Sequence, residues 1–144
     1  MFAEPGDAVD ALYDAISFDT GGSIDFDLLS ALFIPGARLI HVKRTGTELL
    51  DLDTFVDRAM AVLEAGRMTS FCERELHRRA EIFGHMAHVM SSFELYESDA
   101  DEPTGRGVHS IQLLADDEGW RIANVVWQNE EPDEPIPPEL LPPS

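Results

Sequence analysis

The chain has 144 residues, 44% of them hydrophobic, with 28 acidic side chains against 10 basic ones. That length supports one domain around one core and is too short for two, and the apolar share is enough to fold without metals or staples. The net charge of −18 repels phosphate backbones and anionic lipid, so neither nucleic acid nor a membrane is an expected partner.

Pro5, Gly6 and Asp7 read as a helix start, with Asp7 the candidate N-cap. Val9, Leu12, Tyr13 and Ile16 follow at i, i+3, i+4 and i+7 and define one amphipathic face over roughly Asp7 to Ser17. The Gly-rich stretch 19–23 breaks that helix. A second, about Phe26 to Phe33, is capped by Ser23 or Asp25 and stopped by Pro35–Gly36. Arg38 to Lys43 is β-branched and reads as a strand, with Leu49–Leu50 a short second one. A third helix, about Thr54 to Ala65, is capped by Asp51 or Asp53 and ended by Gly66.

From Thr69 the apolar period becomes two. Strands are expected over Ser70–Phe83, Met86–Tyr96, Val108–Ala115 and Trp120–Gln128, with an acidic Pro/Gly loop over Glu97–Gly105. Short turns between neighbours imply an antiparallel meander. The fold class is therefore α+β, in a single domain over 1–130. Residues 131–144 form a Pro-rich acidic tail, with Ile136, Leu140 and Leu141 able to pack back on the domain.

Cys72 is the only cysteine, which rules out an internal disulfide and favours a reducing compartment. The opening MFAEPGDAVDAL lacks the basic and apolar regions of a signal peptide. No stretch approaches the roughly 20 apolar residues of a membrane-spanning helix, so a cytoplasmic location is expected.

Four segments carry a family resemblance: ALYDAI, LLSALFIPGARLIHV, GHMAHVMSSFELYES and SIQLLADDEGWRIANVVWQNE. Their order resembles the nuclear transport factor 2-like superfamily, which includes ketosteroid isomerases, scytalone dehydratase and the SnoaL-like polyketide cyclases. The PIPPELLP tail resembles the end of one bacterial branch. The resemblance implies a cone: a curved antiparallel sheet wrapped around about three helices, with a mostly apolar pocket on its concave side. It also implies a homodimer through the outer sheet face. Members include enzymes and plain binding or assembly domains, so the fold leaves function open.

On that resemblance, Tyr13 matches the first-helix tyrosine that donates to a developing oxyanion in ketosteroid isomerases. Its other reading is a core tyrosine with a backbone partner. His41 falls about where those enzymes carry an aspartate base, and a histidine there could also take a proton. The protonated aspartic acid of the same enzymes would fall near Ser110–Gln112, where no carboxyl group stands. Gln112 could still donate a hydrogen bond, but steroid isomerisation itself is disfavoured.

In the 70–83 strand, Arg74 and Arg78 share their parity with Cys72, Leu76, Ala80 and Ile82. An inward Arg would need a carboxylate partner or an anionic ligand, so the two could anchor an acid group. A cross-strand Arg/Glu ladder is the plainer alternative. His109 and Trp127 are candidate pocket walls, and Cys72 is expected as a small core residue. His85 and His88, three apart across a turn and strand, do not converge as metal ligands. No nucleophile-elbow, phosphate-loop or zinc-protease motif is present. The expected ligand is a small apolar or weakly acidic molecule with no cofactor, handled by a binding protein or by an acid–base enzyme of isomerase, dehydratase or cyclase type. The alternative is a non-catalytic homodimeric binding or assembly domain.

Overall fold

Each of the three helices starts where a carboxylate can meet free backbone N–H groups. A computed structural model describes residues 1–144. Helix α1 (Pro5–Ile16) begins two residues earlier than the sequence suggests: Glu4 is its N-cap, and Asp7 accepts from the Glu4 N–H at 3.1 Å. Pro5 suits the first turn, where its missing N–H costs nothing. Asp25 caps α2 (Phe26–Leu32) by accepting from the Leu28 N–H at 3.0 Å. Asp51 caps α3 (Leu52–Glu64) through the Thr54 N–H at 2.8 Å. Gly66, at φ +69°, ends α3 in the left-handed region that favours glycine.

Strand β1 (Phe33–Val42) starts five residues before the expected Arg38, and Pro35–Gly36 does not interrupt it. The pairing shifts register between Phe33 and Arg38, and Gly36 takes φ +82°. A bulge of this kind accommodates a proline without a donor and a glycine at positive φ inside a strand. Strands β2 (Glu48–Leu50), β3 (Phe71–Phe83), β4 (Met86–Glu97), β5 (Gly105–Asp116) and β6 (Gly119–Asn129) complete one six-stranded sheet. The order is β2-β1-β6-β5-β4-β3. The antiparallel expectation needs one correction: β1 lies parallel to β6, so the sheet is mixed. The last strand, at the end of the meander, takes the first long strand as its outer neighbour.

Alternation along the strands sends one side chain in two to the concave face, where α1 and α2 close the core. Val9, Leu29, Leu32, Val89, Ile111 and Ile122 are wholly excluded from solvent there. Helix α3 differs, because none of its residues is fully buried. Its apolar residues Phe55, Ala59, Val62 and Leu63 line a cavity, and of these only Phe55 and Ala59 also pack against the core.

Two bulges re-aim the side chains. In β3 the register slips between Glu75 and His77. Before it, Cys72 and Arg74 lie opposite Tyr96 and Glu94 on the convex face. After it, Arg78, Ala80 and Ile82 lie opposite Ser91, Val89 and Ala87 on the concave face. The single parity expected for Cys72 through Ile82 is thus broken, and Cys72 is exposed rather than part of the core. The second bulge lies in β6, where Ala123 falls unpaired between Ile122, opposite Leu113, and Asn124, opposite Gln112.

The tail returns to the convex face. Ile136 and Leu140 are buried, and the Ser92 hydroxyl donates to the Leu140 carbonyl at 2.6 Å. Arg106 grips Glu130 with two hydrogen bonds of 2.9 Å, and Glu130 accepts the Ile136 N–H at 2.8 Å. These contacts hold the Glu130 carboxyl below the usual range, the Arg106 hydrogen bond first among them. No helix is long and apolar enough to cross a membrane.

Burial sets the scale of core substitutions. Ile122→Ala should lower unfolding free energy by about 2–5 kcal/mol in urea titration. Leu49→Ala, on a side chain that is 64% exposed, should stay within about 0.5 kcal/mol of the parent.

Candidate functional site

The concave face encloses a cavity of about 390 Å³ lined by 23 residues, 16 of them hydrophobic. Its walls come from α1, β1, α3 and the inner faces of β3 to β6. Few polar side chains reach it: His41, Glu73, Glu97, Thr104, His109 and Asn129. A largely apolar cavity with a few converging polar groups is the usual form of a small-molecule site.

His109 and Glu73 are the buried pair among these, at 5% and 8% exposure. Glu73 points inward because it precedes the β3 bulge, and His109 points inward by the alternation of β5. His109 Nε2 is hydrogen-bonded to Glu73 Oε1. The backbone N–H of Glu73 donates to Ser17 Oγ at 3.1 Å, which ties this point of β3 to the end of α1. With Glu73 ionised, Nε2 carries the proton that it shares. In the neutral imidazole Nδ1 is then left as an acceptor. His109 Nδ1 has no hydrogen-bond partner in the protein.

Aromatic rings fix the imidazole. Phe93 stacks on it at 4.5 Å between centroids, and Tyr13 meets it edge-on at 5.8 Å. Gly107 makes this possible. A Cβ there would stand 2.6 Å from the tip of the Phe93 ring and 2.6 Å from the Gln128 carbonyl, well inside van der Waals contact. Phe93 therefore crosses the bare backbone of its cross-strand partner to reach His109.

His41 lies at the cavity beside Trp127, their rings stacked at 4.8 Å. Glu48 stands 3.9 Å from its Nδ1. Burial, then Lys43 and His109, hold the His41 pKa below the ordinary histidine value. The imidazole is therefore the neutral, proton-accepting form at neutral pH.

Of the residues singled out in the sequence, His41, His109 and Trp127 line the cavity, while Tyr13, Arg74, Arg78 and Gln112 do not. Tyr13 is buried, but its hydroxyl turns to Ser91 Oγ at 2.6 Å. Ser91 gives its one proton to Glu75, so Tyr13 must be the donor to Ser91. Burial pushes the phenol far above its usual range, which keeps that proton in place. The expected oxyanion donor is thus occupied elsewhere. Arg74 is exposed and pairs with Glu94, its direct cross-strand neighbour. Arg78 binds Glu75 at 2.9 Å and Asp10 at 2.5 Å. Burial works against its charge, but these two carboxylates more than offset it and raise its pKa. The two arginines therefore form ion pairs within the protein instead of anchoring an acid group. Gln112 falls on the convex face, opposite His88 and Asn124. The sequence reading missed Glu73, which looked like one charge in a charged strand. Only the position of the bulge reveals that it points inward.

The geometry defines a class first: a helix-backed, curved sheet with an apolar hollow, the nuclear transport factor 2-like or cystatin-like cone. Solved structures share it. A protein of unknown function with a cystatin-like fold from Nostoc punctiforme superposes with a TM-score of 0.65 at 14% identity, over 94% of this chain and 98% of that one. A protein from Streptomyces avermitilis, provisionally named a dehydratase of the nuclear transport factor 2-like family, gives 0.62 at 17% identity, over 85% and 91%. One from Shewanella frigidimarina, provisionally named a ketosteroid isomerase, gives 0.60 at 13% identity, over 88% and 99%. Within that class the chain belongs to the SnoaL-like domain family, whose model matches residues 7–126. No curated protein matches it in sequence.

The low His41 pKa has a sign that can be checked. The unfolded chain binds the His41 proton more readily than the folded one, so stability rises with pH wherever the two differ. Between the ordinary value of about 6.5 and the lower folded value, acidification should therefore destabilise the protein. Urea midpoints measured across this window should fall with pH, and His41→Gln should flatten the slope.

Proposed function

We propose that this chain is a small-molecule pocket protein whose cavity carries out cofactor-free acid–base chemistry on an apolar substrate, of the isomerase, dehydratase or cyclase kind. The observation that carries the reading is the His109–Glu73 pair. A histidine and a carboxylate are hydrogen-bonded to each other inside a hydrocarbon-lined hollow, and one imidazole nitrogen is left free. Glu73 fixes the tautomer of His109, and the pair takes a proton from a carbon or hydroxyl of the substrate and returns it. His41, neutral and stacked on Trp127, serves as the second proton-transfer group near the cavity wall. Tyr13 acts as a positioning residue against the His109 ring. The single exposed thiol of Cys72 favours a reducing, cytoplasmic setting.

The test starts by finding a stabilising ligand in a metabolite panel. A ligand at 100 times its dissociation constant adds about 2.7 kcal/mol of stability. On a substrate found this way, His109→Gln should lower kcat/KM by about 10²–10⁴-fold. Glu73→Gln should follow it in the same direction, and Tyr13→Phe should cost far less. Unchanged turnover in both His109→Gln and Glu73→Gln would sink the assignment.

A second reading, a homodimer formed through the outer sheet face, has its own support. Leu49, Ile40, Val126, Ser110 and Met90 are direct neighbours in one row across the convex face, and all but Ser110 are large apolar side chains. The row lies beside the patch that the tail covers. Placing a charge in it by Val126→Glu should convert a dimer to a monomer in analytical ultracentrifugation. A parent that sediments as a monomer at high micromolar concentration would rule this reading out.

A further inference from the structure

The cavity also has a charge preference, which deepens the reading of the site given above and rests on it. Its lining includes two carboxylates, Glu73 and Glu97, and no lysine or arginine. Arg67, next to Met68 in the lining, is exposed and lies outside it. Lys43 binds Glu48 at 2.7 Å and Arg78 binds Glu75 and Asp10, so neither is free to meet an anionic ligand. The chain's net charge of −18 adds a field of the same sign. An acid entering this hollow would lose its water and gain no counter-charge.

Three features suit a cation instead. Glu73 and Glu97 lie on the same face at adjoining register positions: Glu73 is opposite Leu95 and Glu97 is opposite Phe71. One carboxylate is therefore deep and the other is two residues nearer the open end of the strand. Six aromatic rings line the hollow, from Phe18, Phe33, Phe55, Phe71, Phe93 and Trp127, and ring faces attract ammonium groups. The second carboxylate oxygen of Glu73, Oε2, has no hydrogen-bond partner in the protein, and Glu73 lines the cavity, so an acceptor in need of a donor stands in its wall.

We propose that the cavity selects apolar amines in their protonated form. The ammonium N–H donates to the free oxygen of the Glu73 carboxylate, which balances the ligand's charge directly. Glu97 draws the cation in from the rim. Carboxylates, phosphates and sulfates of the same shape are rejected.

Three matched probes test this by calorimetry on the full chain: naphthylethylamine, naphthylethanol and naphthylacetate. The amine should bind about tenfold more tightly than the alcohol, the ratio expected when a charge-assisted hydrogen bond replaces a neutral one. Naphthylacetate should bind most weakly. Glu73→Gln should erase the preference for the amine over the alcohol, whereas Glu97→Gln should reduce it only in part. Urea titration of both variants checks that they are folded. Because an acidic surface attracts any amine, Ala59→Trp serves as the control, since it fills the hollow and should abolish binding. An amine that binds Ala59→Trp as well as the parent is held by the surface, and the proposal fails. If the alcohol or the acid equals the amine, charge selection is overturned while cavity binding stands. If none of the three binds at millimolar concentration, the reading of the cavity as a ligand site falls with it.

Discussion

A carboxylate cannot lie in hydrocarbon alone. Moving it out of water costs several kcal/mol unless a partner meets it, and Glu73 is met by His109. Much of the surrounding structure follows from that requirement. The β3 bulge must come after Glu73, or its side chain would face solvent. Gly107 must lack a side chain, or Phe93 could not reach across to stack on the imidazole. Ser17 must anchor the Glu73 backbone to the end of α1. The pair stabilises little beyond what its own burial costs. It does require one arrangement of rings and strands around it, which is the role best attested for buried polar groups.

The same sheet leaves space that its own side chains do not fill. Helices α1 and α2 pack against the concave face and exclude water completely at several positions. Helix α3 spans the remaining opening with Phe55, Ala59, Val62 and Leu63 turned toward a void. An apolar face only partly packed forgoes some dispersion contacts. The helix depends instead on its Asp51 cap, its Gly66 stop and partial contact with β1 and β2. It is the least constrained wall of the cavity, and so the wall best able to move when a ligand enters.

The architecture was largely legible in the sequence because its signals are local. Asp25 and Asp51 cap the helices that they precede, Gly66 ends α3, and the change from a helical to a two-residue period at Thr69 marks the meander. The family likeness followed from the order of these segments and pointed to Tyr13 and His41, while His109 and Trp127 were suspected from their place on the last two strands. The errors came from what alternation cannot encode. A bulge adds one residue and reverses the faces beyond it, so Arg74 and Arg78, of equal parity, end on opposite sides of the sheet. Cys72 goes outward with Arg74 for the same reason. Tyr13 was placed correctly in the core, but the direction of its hydroxyl depends on Ser91, which is distant in sequence. Glu73 was hidden among six other charged or histidine residues in its strand, and only its pairing with His109 sets it apart.

The parallel contact between β1 and β6 bears on how the hollow comes to exist. Arg38 pairs with Asn124 and Val42 with Gln128, across α3 and four intervening strands. The β3–β4–β5 meander can form from near neighbours, but β1 has no long partner until β6 is present. Loop closure over that separation is slow relative to hairpin formation. As the chain leaves the ribosome, the apolar helices and β1 must therefore wait, exposed, for the final strand. Two such half-built chains, each rich in acidic side chains, repel one another over that interval.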